Sequence, residues 1–481
     1  MRYHSTRSPA LEADSAQAVL TGLAPDGGLY MPERIPAFHW QAALQGTSQD
    51  MASAILSAFL PDIPDMPQLV KQAYTGKFET ETLTPSVSVG DFQVLELFRG
   101  PTSAFKDVAL SMLPQLLTAA KRCKGIQEDI LILTATSGDT GKAALEGFHD
   151  VPGVRICVFY PHGGVSQVQR AQMVTQEGSN VAVCAVRGNF DDAQTGVKNI
   201  FAACQGKALP FRLSSANSIN IGRLAPQIMY YFRAYRDLLD AGKIALGDTV
   251  NFSVPTGNFG DILAGYLAKL LGLPVGTLIC ASNANKVLTD FIRTGTYDRR
   301  RPLYKTTSPS MDILVSSNLE RLLYLLSGDT ELVASLMKKL NAEGVYTVPS
   351  ELLQKIQKEF WAAYCDDRRA AQVMGRVYRD YGYLCDPHTA AGWAAAEDYV
   401  KETGDHAPMV VLSTASPYKF PSAVLSAIGG DTSGTEFQQM ERLSQLTGVP
   451  VPRNLANLQG KPERHTAVID KDAMLSYVLE L

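Results

Sequence analysis

Residues Asp129 to Gly141, which read DILILTATSGDTG, contain the pattern that decides the fold. A continuous apolar run of β-forming residues ends in a polar, Gly-containing loop, and a helical pattern follows. Such a run is typical of a parallel strand that helices cover on both faces. Similar runs begin at Val154, Val181, Thr249 and Thr277, and each ends in a polar loop. The alternation predicts βαβ units and an α/β fold of mainly parallel sheets with flanking helices.

The two ends of the chain differ from this core. Residues 1–85 read as helices and loops, residues 315–405 are mostly helical, for example from Glu351 to Tyr364, and a last strand is predicted at Met409–Ser413. We therefore divide the chain into an N-terminal helical region at 1–88, a two-lobed α/β core at 89–314, a helical insertion at 315–405, and a C-terminal return to the core with a tail at 406–481.

Composition narrows the functional classes. The 481 residues include 44 basic and 48 acidic side chains, a net charge of −4, so nothing favours nucleic acid or an anionic membrane as a partner. No apolar run reaches the length of a membrane span, and the segment from Met1 to Gln17 has no apolar signal region, so we expect a cytoplasmic protein. The seven cysteines form no CxxC pair, which predicts small buried residues without a metal site.

Several standard active-site motifs are absent from the sequence. GxGxxG, GxxxxGK[ST], HExxH and GxSxG do not occur, which argues against a dinucleotide enzyme, a P-loop NTPase, a zinc protease and an α/β-hydrolase. Ligands in open α/β sheets lie at the carboxyl ends of the strands, so the strand-to-helix loops are the places to search.

Two of these loops have the composition of anion sites. Ser137-Gly138-Asp139-Thr140-Gly141 and Thr256-Gly257-Asn258-Phe259-Gly260 both place glycines and polar groups where a helix is predicted to begin. Free backbone N–H groups at such a position bind carboxylate or phosphate. Ordinary helix caps and tight turns explain the same residues, and this alternative stays open for either loop alone.

Two further segments carry charged candidates. Lys106 follows the turn Gly100-Pro101-Thr102 and begins a helical pattern among aliphatic and aromatic neighbours, where desolvation would lower the pKa of its amine. Ser214 to Arg223 combines hydroxyls, amides and one guanidinium, a set that suits phosphate oxygens. A solvated lysine at a helix start and an Asn/Ser cap with a solvated arginine are the alternatives.

Taken in order, these motifs resemble the threonine synthase family, within the fold-type II (tryptophan synthase β-like) pyridoxal-phosphate enzymes, in its longer bacterial and fungal form. The resemblance covers about residues 1–430. It rests on the following segments: Tyr3-His4-Ser5-Thr6-Arg7, Gly22 to Tyr30, Gly100 to Asp107, Thr136 to Gly141, Asn217-Ser218-Ile219-Asn220, Pro255 to Asp261, Asp386 to Ala390 and Ser413 to Phe420. Arg99 and Ser416 stand where many members carry His.

The resemblance implies an enzyme, a carbon–oxygen lyase that acts on phosphates and makes L-threonine from O-phospho-L-homoserine and water. Its cofactor would be pyridoxal 5'-phosphate. Lys106 would hold the cofactor covalently, Gly257, Asn258, Phe259 and Gly260 would hold its phosphate, Thr414 would bond its ring nitrogen, and Asp139 would lie beside the ring. For the substrate, Ser137, Gly138 and Thr140 would hold the carboxylate, and Asn217, Ser218 and Arg223 the phosphate.

Two other functions remain as alternatives. A related phospholyase would release phosphate, ammonia and 2-oxobutyrate from the same substrate, with nearly the same motifs. A non-catalytic protein that binds a phosphoamino acid is the other, although Lys106 argues against it. We expect a monomer or homodimer.

Overall fold

A computed structural model describes residues 1–136, 138–204, 206–207 and 209–481, with every side chain in these ranges except that of Asp191. Its strands in chain order are β1 (Arg2–Ser5), β2 (Ser8–Asp14), β3 (Tyr30–Pro32), β4 (Ser86–Val89), β5 (Phe92–Glu96), β6 (Asp129–Ala135), β7 (Val154–Pro161), β8 (Val181–Arg187), β9 (Phe211–Ser215), β10 (Val250–Pro255), β11 (Val275–Ser282), β12 (Thr296–Asp298), β13 (Val345–Thr347), β14 (Phe360–Tyr364), β15 (Met409–Ser413) and β16 (Ala467–Asp470).

The α-helices are α1 (Ser15–Thr21), α2 (Trp40–Ala43), α3 (Ser48–Phe59), α4 (Met66–Tyr74), α5 (Lys106–Cys123), α6 (Asp139–Phe148), α7 (Gln167–Val174), α8 (Phe190–Cys204), α9 (Ile221–Leu224), α10 (Ile228–Asp240), α11 (Gly260–Leu270), α12 (Val287–Thr294), α13 (Leu319–Ser327), α14 (Thr330–Glu343), α15 (Ser350–Glu359), α16 (Asp367–Tyr381), α17 (Pro387–Thr403), α18 (Pro421–Ala427), α19 (Glu436–Thr447), α20 (Arg453–Ala456) and α21 (Met474–Leu479). Short 3₁₀ turns lie at Ala225–Gln227, Pro309–Met311, Pro417–Lys419 and Lys471–Ala473.

Two sheets form the core. The larger has the order β14-β11-β10-β15-β5-β4 and is parallel except for β4; the smaller has the order β16-β8-β7-β6-β9 and is parallel throughout. The predicted strands at Asp129, Val154, Val181, Thr249, Thr277 and Met409 all lie in these sheets, with ends shifted by up to two residues. The prediction of a mainly parallel α/β fold is therefore confirmed.

The N-terminal region is not only helical, and that part of the prediction is wrong. Strands β1, β2 and β3 form a small antiparallel sheet ahead of the first long helices. Exposed and buried positions alternate along β1, and Tyr3 is fully buried where its hydroxyl donates to the Phe59 carbonyl at 2.5 Å. The pattern is two-residue alternation over only four residues, which is too short to stand out in the sequence.

The segment from Glu351 to Tyr364 is likewise not one helix. Helix α15 ends at Glu359, and Phe360–Tyr364 becomes the edge strand of the larger sheet, parallel to β11. Phe360, Ala362 and Ala363 are buried there. The predicted helical insertion thus supplies one strand to the core, and Phe360 and Trp361 belong to the aromatic type that is enriched in strands.

Helix α5 is continuous from Lys106 to Cys123 although Pro114 lies inside it. Pro114 offers no N–H to the Leu110 carbonyl four residues earlier. Helix α6 packs at this point through Gly147, where a Cβ would lie 2.0 Å from the Leu110 oxygen. A residue without a side chain therefore lets the two helices approach each other closely beside the proline.

Six of the cysteines are buried, as predicted, and Cys123 at the end of α5 is exposed. In the described ranges of the chain, no helix has the length and apolar character needed to cross a membrane.

Candidate active site

The carboxyl ends of strands from both sheets supply the loops of one site. These loops follow β5, β6, β9, β10 and β15, and side chains from them approach one another as described below. The arrangement is the one that parallel α/β sheets provide for ligands.

Lys106 is the first residue of α5, and a carboxylate fixes the turn before it. Asp107 accepts hydrogen bonds from Thr102 N at 2.9 Å and Thr102 Oγ1 at 2.5 Å. Burial raises the pKa of Asp107 to about 6. A Cβ on Gly100 would lie 2.5 Å from the Asp107 carboxylate, so the turn needs a glycine there. The Gly-Pro-Thr and Lys-Asp parts of the motif therefore form one structural unit.

The Lys106 side chain is buried, so its amine does not lie in bulk water. Its Nζ donates to Ser310 Oγ at 3.3 Å and lies 4.6 Å from the centre of the Phe105 ring. Burial lowers the pKa of Lys106 to about 8; Asp139 acts in the opposite direction, and Lys419 strengthens the lowering. A neutral, nucleophilic amine is thus accessible near neutral pH.

The loop before α6 is organised by Thr136. Its Oγ1 accepts from Gly138 N at 3.0 Å and Gly141 N at 2.9 Å. Gly138 has φ +148°, and a Cβ there would lie 2.3 Å from Gln169 Nε2. Thr140 is half-buried in the first turn of the helix, whereas Ser137 lies outside the described residues. Thr136 thus occupies the N–H groups of Gly138 and Gly141, whereas those of Asp139 and Thr140, in the first turn of α6, have no partner within the helix and can receive an anion.

Asp139 joins this loop to the rest of the site. Its carboxylate lies 2.6 Å from Lys419 Nζ, accepts from Gln169 Nε2 at 3.0 Å and lies 3.5 Å from Ser310 Oγ. Burial alone would raise the pKa of Asp139, but the charges of Lys419 and then Lys106 hold it well below its usual range. Asp139 is therefore ionised, and its charge is neutralised inside the site.

The loop after β10 forms a cradle of backbone N–H groups. Phe259 has φ 63° and ψ 7°, a left-handed conformation, and Gly260 then begins α11. Successive left- and right-handed residues turn their N–H groups into one concavity, which suits a phosphate. The Phe259 ring is fully buried against Phe360, with the ring centres 5.6 Å apart, and this packing offsets the backbone strain.

Residues 316–318 hold this cradle from outside. Ser316 Oγ donates to the Gly257 carbonyl at 2.8 Å, and Asn318 donates to the Asn258 carbonyl through N and Nδ2, both at 3.0 Å. Sequence reasoning missed this segment, since a run of serine and asparagine is common in any loop.

Replacement of Gly257 by alanine should loosen the cradle. A Cβ at this position would lie 2.6 Å from the Ser310 carbonyl oxygen. Because that oxygen belongs to the backbone, we expect about 1–3 kcal/mol lower stability of the cofactor-free protein, as in other overpacked sites. Urea unfolding measures the change. Gly260→Ala is the control: its nearest neighbour would be Asn318 Nδ2 at 3.5 Å, and equal losses in both variants would contradict the steric argument.

Arg223 is a buried guanidinium without an acidic partner in the part of the chain that the structure describes. Its Nη1 donates to the Ala216 carbonyl at 2.6 Å, and its Nε has no acceptor among the residues that the structure describes. Burial lowers the pKa of Arg223 to about 10. A buried cation with a free donor favours an anionic ligand, because an uncompensated charge is costly to bury. The alternative of a solvated arginine is wrong.

The segment after Asn220 forms a short helix, a 3₁₀ turn and a longer helix in succession. Asn220 caps the short helix α9 through a 2.8 Å bond from Gly222 N and donates to the Val19 carbonyl. A 3₁₀ turn then leads into α10. The strand β9 before this segment was also not predicted, although it places the loop beside β6 in the smaller sheet.

Asn217 and Ser218 lie at the edge of the same loop. Asn217 is exposed and Ser218 is half-buried. Ser218 Oγ lies 3.4 Å from Ser317 Oγ, which donates to Asn258 Oδ1 at 3.3 Å. A single serine thus connects the Arg223 loop to the backbone cradle.

The N-terminal motif that contains Arg7 anchors the Arg223 loop and the backbone cradle. Arg7 forms a two-point ion pair with Glu320, with both N–O distances 2.8 Å, and the neighbouring Arg321 is fully buried. Arg321 donates to the Tyr30 and Ile219 carbonyls and to Asn318 Oδ1. The N-terminal motif therefore has a structural role, because it holds helix α13, the Arg223 loop and the cradle together.

Thr414 is buried beside the lysine turn. The Thr414 carbonyl accepts from Phe105 N at 2.9 Å, and Ser416 N donates to the Ser103 carbonyl at 3.1 Å. Ser416 also caps the turn at Pro417–Lys419. Arg99, the other departure from the family pattern, pairs with Glu96 at 2.6 Å and Glu79 at 3.0 Å.

Ser310 and His388 are further site residues that sequence reasoning missed. His388 Nδ1 lies 2.5 Å from Asp386 Oδ2, and its Nε2 accepts from Ser310 N at 3.2 Å. Nε2 therefore serves as the acceptor for Ser310, and Nδ1 is the ring nitrogen that faces the Asp386 carboxylate. Ser310 Oγ in turn contacts Lys106 and Asp139. The sequence analysis included Asp386 to Ala390 only as a motif of the family, and the contact of His388 with Ser310 joins residues that are distant in the chain.

The donors present fit a phosphorylated pyridoxal cofactor and an anionic substrate. The site offers a buried amine, a backbone concavity, the start of helix α6 and an unpaired guanidinium. The cofactor and a phosphorylated amino acid together require an amine, a phosphate cradle and further hydrogen-bond donors for anions. The site contains each of these groups.

Comparison with known families agrees with this chemistry. The family described as Pyridoxal-phosphate dependent enzyme matches residues 84–415. The families described as Threonine synthase N terminus and Threonine synthase, C-terminal match residues 2–74 and 389–478.

Individual proteins give the same result. Threonine synthase of Pseudomonas aeruginosa is 40% identical over 97% of this chain and 98% of its own length. Human Threonine synthase-like 1 is 36% identical over 97% of this chain, which spans 65% of that protein. The crystal structure of pyridoxal-phosphate-bound threonine synthase from Brucella melitensis is 38% identical, with a TM-score of 0.89 and coverage of 100% of this chain and 99% of that one.

These matches extend over almost the whole chain, and they cover each of the segments that supply the site. They bear out the resemblance seen in the sequence motifs. The chain belongs to the threonine synthase family, and it is a pyridoxal-phosphate-dependent lyase with threonine synthase function.

Proposed function

We propose that this chain converts O-phospho-L-homoserine and water into L-threonine and phosphate. The observation that carries the choice of substrate is Arg223, a buried guanidinium whose Nε has no acceptor among the described residues and whose charge acts on the Lys106 amine. Together with the cradle at Gly257–Gly260, it gives the site two places for phosphate, one for the cofactor and one for the substrate.

For the cofactor, Lys106 would provide the covalent attachment, and Gly257, Asn258, Phe259 and Gly260 would hold the phosphate through backbone N–H groups. The Thr414 hydroxyl would bond the ring nitrogen, and Asp139 would lie beside the ring. When bound, the cofactor supplies the electron sink for carbanions at the substrate, and the protein supplies orientation and proton transfer.

For the substrate, Ser137, Gly138 and Thr140 hold the carboxylate. Asn217, Ser218 and Arg223 hold the phosphate. The support is the Asp139 and Thr140 N–H groups in the first turn of α6, the Arg223 Nε, which has no acceptor in the described part of the chain, and the contact between Ser218 and Ser317. A charged donor at the phosphate stabilises the charge that develops as the phosphate leaves.

Lys106 moves the protons. Its amine removes a proton from Cα and then from Cβ, after which the Cγ–O bond breaks and phosphate leaves. Cγ gains a proton and becomes the methyl group, water adds its hydroxyl at Cβ, and Cα is protonated again. The lowered pKa of Lys106, about 8, suits an amine that both accepts and returns protons near neutral pH.

Product identification by NMR with the holoenzyme tests this function. We expect O-phospho-L-homoserine to give threonine and phosphate in equal amounts. Phosphate with 2-oxobutyrate and ammonia would instead identify the phospholyase reaction, and phosphate release without either product would contradict both.

Thr414→Val should weaken cofactor retention without loss of folding. The substitution keeps the side-chain volume and removes one neutral hydrogen bond, so we expect about 0.5–1.5 kcal/mol weaker binding and a shifted cofactor spectrum. Equilibrium dialysis and absorbance measure both effects. Thr134→Val is the control, since the Thr134 hydroxyl is also buried but has no partner in the described part of the chain. The same spectral shift in both variants would contradict the placement of the Thr414 hydroxyl at the ring nitrogen.

The organisation of the chain also remains a proposal. We propose 1–88, 89–314, 315–405 and 406–481 as the units of the sequence. The last two units contribute strands to the sheets of the α/β core, since β14 lies in the larger sheet and β16 in the smaller one. We further propose a cytoplasmic enzyme that is a monomer or homodimer. Light scattering on the purified holoenzyme would decide between the two states.

A further inference from the structure

We propose that Lys419 is a positioning residue for the reaction: it neutralises Asp139 next to the Lys106 amine and holds the turn that leads to Lys106. The inference rests on the proposed role of Lys106. It concerns a lysine that no step of the mechanism uses.

The ammonium of Lys419 is wholly inside the protein. The residue is 1% exposed and lies in the turn Pro417–Lys419 that follows β15. Its Nζ lies 2.6 Å from Asp139 Oδ1 and donates to the Thr102 carbonyl at 3.2 Å. Asp139 follows a strand of the smaller sheet, so this ion pair connects the two sheets at the site.

The turn before Lys106 is held from the C-terminal part of the chain. Three consecutive carbonyls accept hydrogen bonds from it: Pro101 from Asn454 Nδ2 at 2.7 Å, Thr102 from Lys419 Nζ at 3.2 Å and Ser103 from Ser416 N at 3.1 Å. Of these three donors, only Lys419 carries a charge. It therefore couples the position of the turn to the charge of Asp139.

Charged groups from four elements act on the Lys106 amine. Asp139 on α6 and Asp261 on α11 favour its charged form. Lys419 in the turn Pro417–Lys419 and Arg223 on α9 disfavour that form. The Lys106 amine itself donates to the uncharged Ser310 Oγ. Without Lys419, the Asp139 charge would act on Lys106 uncompensated and favour the ammonium. Without Asp139, the Lys419 charge would favour the neutral amine.

The test compares three variants of the full-length chain with its cofactor removed. The probe is competitive labelling of Lys106 with acetic anhydride, read by mass spectrometry as a function of pH. We expect Lys419→Met to slow labelling near neutral pH about tenfold or more, because a nearby uncompensated charge changes the pKa of an amine by at least about one. Asp139→Asn should accelerate labelling, and the double variant should return close to the parent.

Holoenzyme kinetics give a second measurement. Lys419→Met should lower kcat at neutral pH more than it raises KM, and the loss should shrink as pH rises. Lys142→Met is the matched control. Lys142 is also buried, lies on the same helix as Asp139 and pairs with Glu146 at 3.0 Å, and its loss should leave the Lys106 labelling curve unchanged.

Single variants that shift the labelling curve in the same direction, or a folded Lys419→Met protein without a shift, would overturn the proposal. If Lys419→Met does not fold, Asp139→Asn alone decides, because slower labelling or an unchanged curve would contradict the inference. The labelling needs no substrate. A failure of the proposed reaction in the NMR experiment is therefore distinguishable from a failure of this inference.

Discussion

Lys106→Ala should abolish turnover and the covalent attachment of the cofactor. Lys106 is the buried amine at the centre of the site, in contact with Ser310 and close to Asp139, and the variant leaves no amine in its place. We expect kcat to fall by at least about 10²–10⁴-fold, which is the contribution of a positioned proton-transfer group alone. Single-turnover assays and the visible absorbance of the bound cofactor measure the two losses.

Borohydride reduction followed by peptide mapping identifies the attached lysine directly. In the parent protein we expect the reduced cofactor on the peptide that contains Lys106. Lys142→Met controls for the loss of a buried lysine, and it should leave the label on Lys106. Retained turnover in Lys106→Ala, or label on the Lys419 peptide in the parent, would refute the assignment.

Local patterns in the sequence predicted most of the core. Parallel strands such as β6, β7 and β10 are continuous apolar runs because helices cover both faces, so their composition identifies them. The small N-terminal sheet and the edge strand at Phe360–Tyr364 were missed for the opposite reason. Their residues are few or follow a helix directly, and their pairing depends on distant partners rather than on their own composition.

The site residues also divide into those that a local pattern predicts and those that it does not. Lys106, Gly138 and Phe259 lie where a loop meets a helix, and the local sequence there indicates a turn or a helix start. Lys419 and His388 act through residues more than seventy positions away, namely Asp139 and Ser310. Nothing in a local pattern distinguishes such a side chain from a surface residue, so only the folded structure could reveal the Asp139–Lys419 pair.

Arg223 leaves an unbalanced charge in the site. Lys419 pairs with Asp139, and Asp139 and Asp261, whose pKa burial raises to about 7, both act on the Lys106 amine. Arg223 has no carboxylate partner among the residues that the structure describes, and its Nε has no acceptor there. A phosphorylated ligand would supply the missing negative charge, because burial of an unpaired charge is costly.

Arg223→Ala should lower kcat/KM for O-phospho-L-homoserine by at least about tenfold. A hydrogen bond to a charged group contributes about 1.5–3 kcal/mol, which corresponds to about 10- to 150-fold. Arg223→Lys should restore only part of the loss, because an ammonium cannot present the planar fork of donors. Steady-state kinetics with both variants measure the effect.

Selectivity separates a phosphate contact from general damage. Affinity for L-homoserine, which lacks the phosphate, should hardly change in Arg223→Ala. Arg321→Lys is the control. Arg321 is also buried, but carbonyl and amide oxygens already accept from its donors. The substitution should therefore lower stability and weaken the binding of both ligands to the same extent. If Arg223→Ala leaves kcat/KM unaltered, or weakens both ligands to the same extent, Arg223 is a structural residue and the substrate phosphate binds elsewhere in the site.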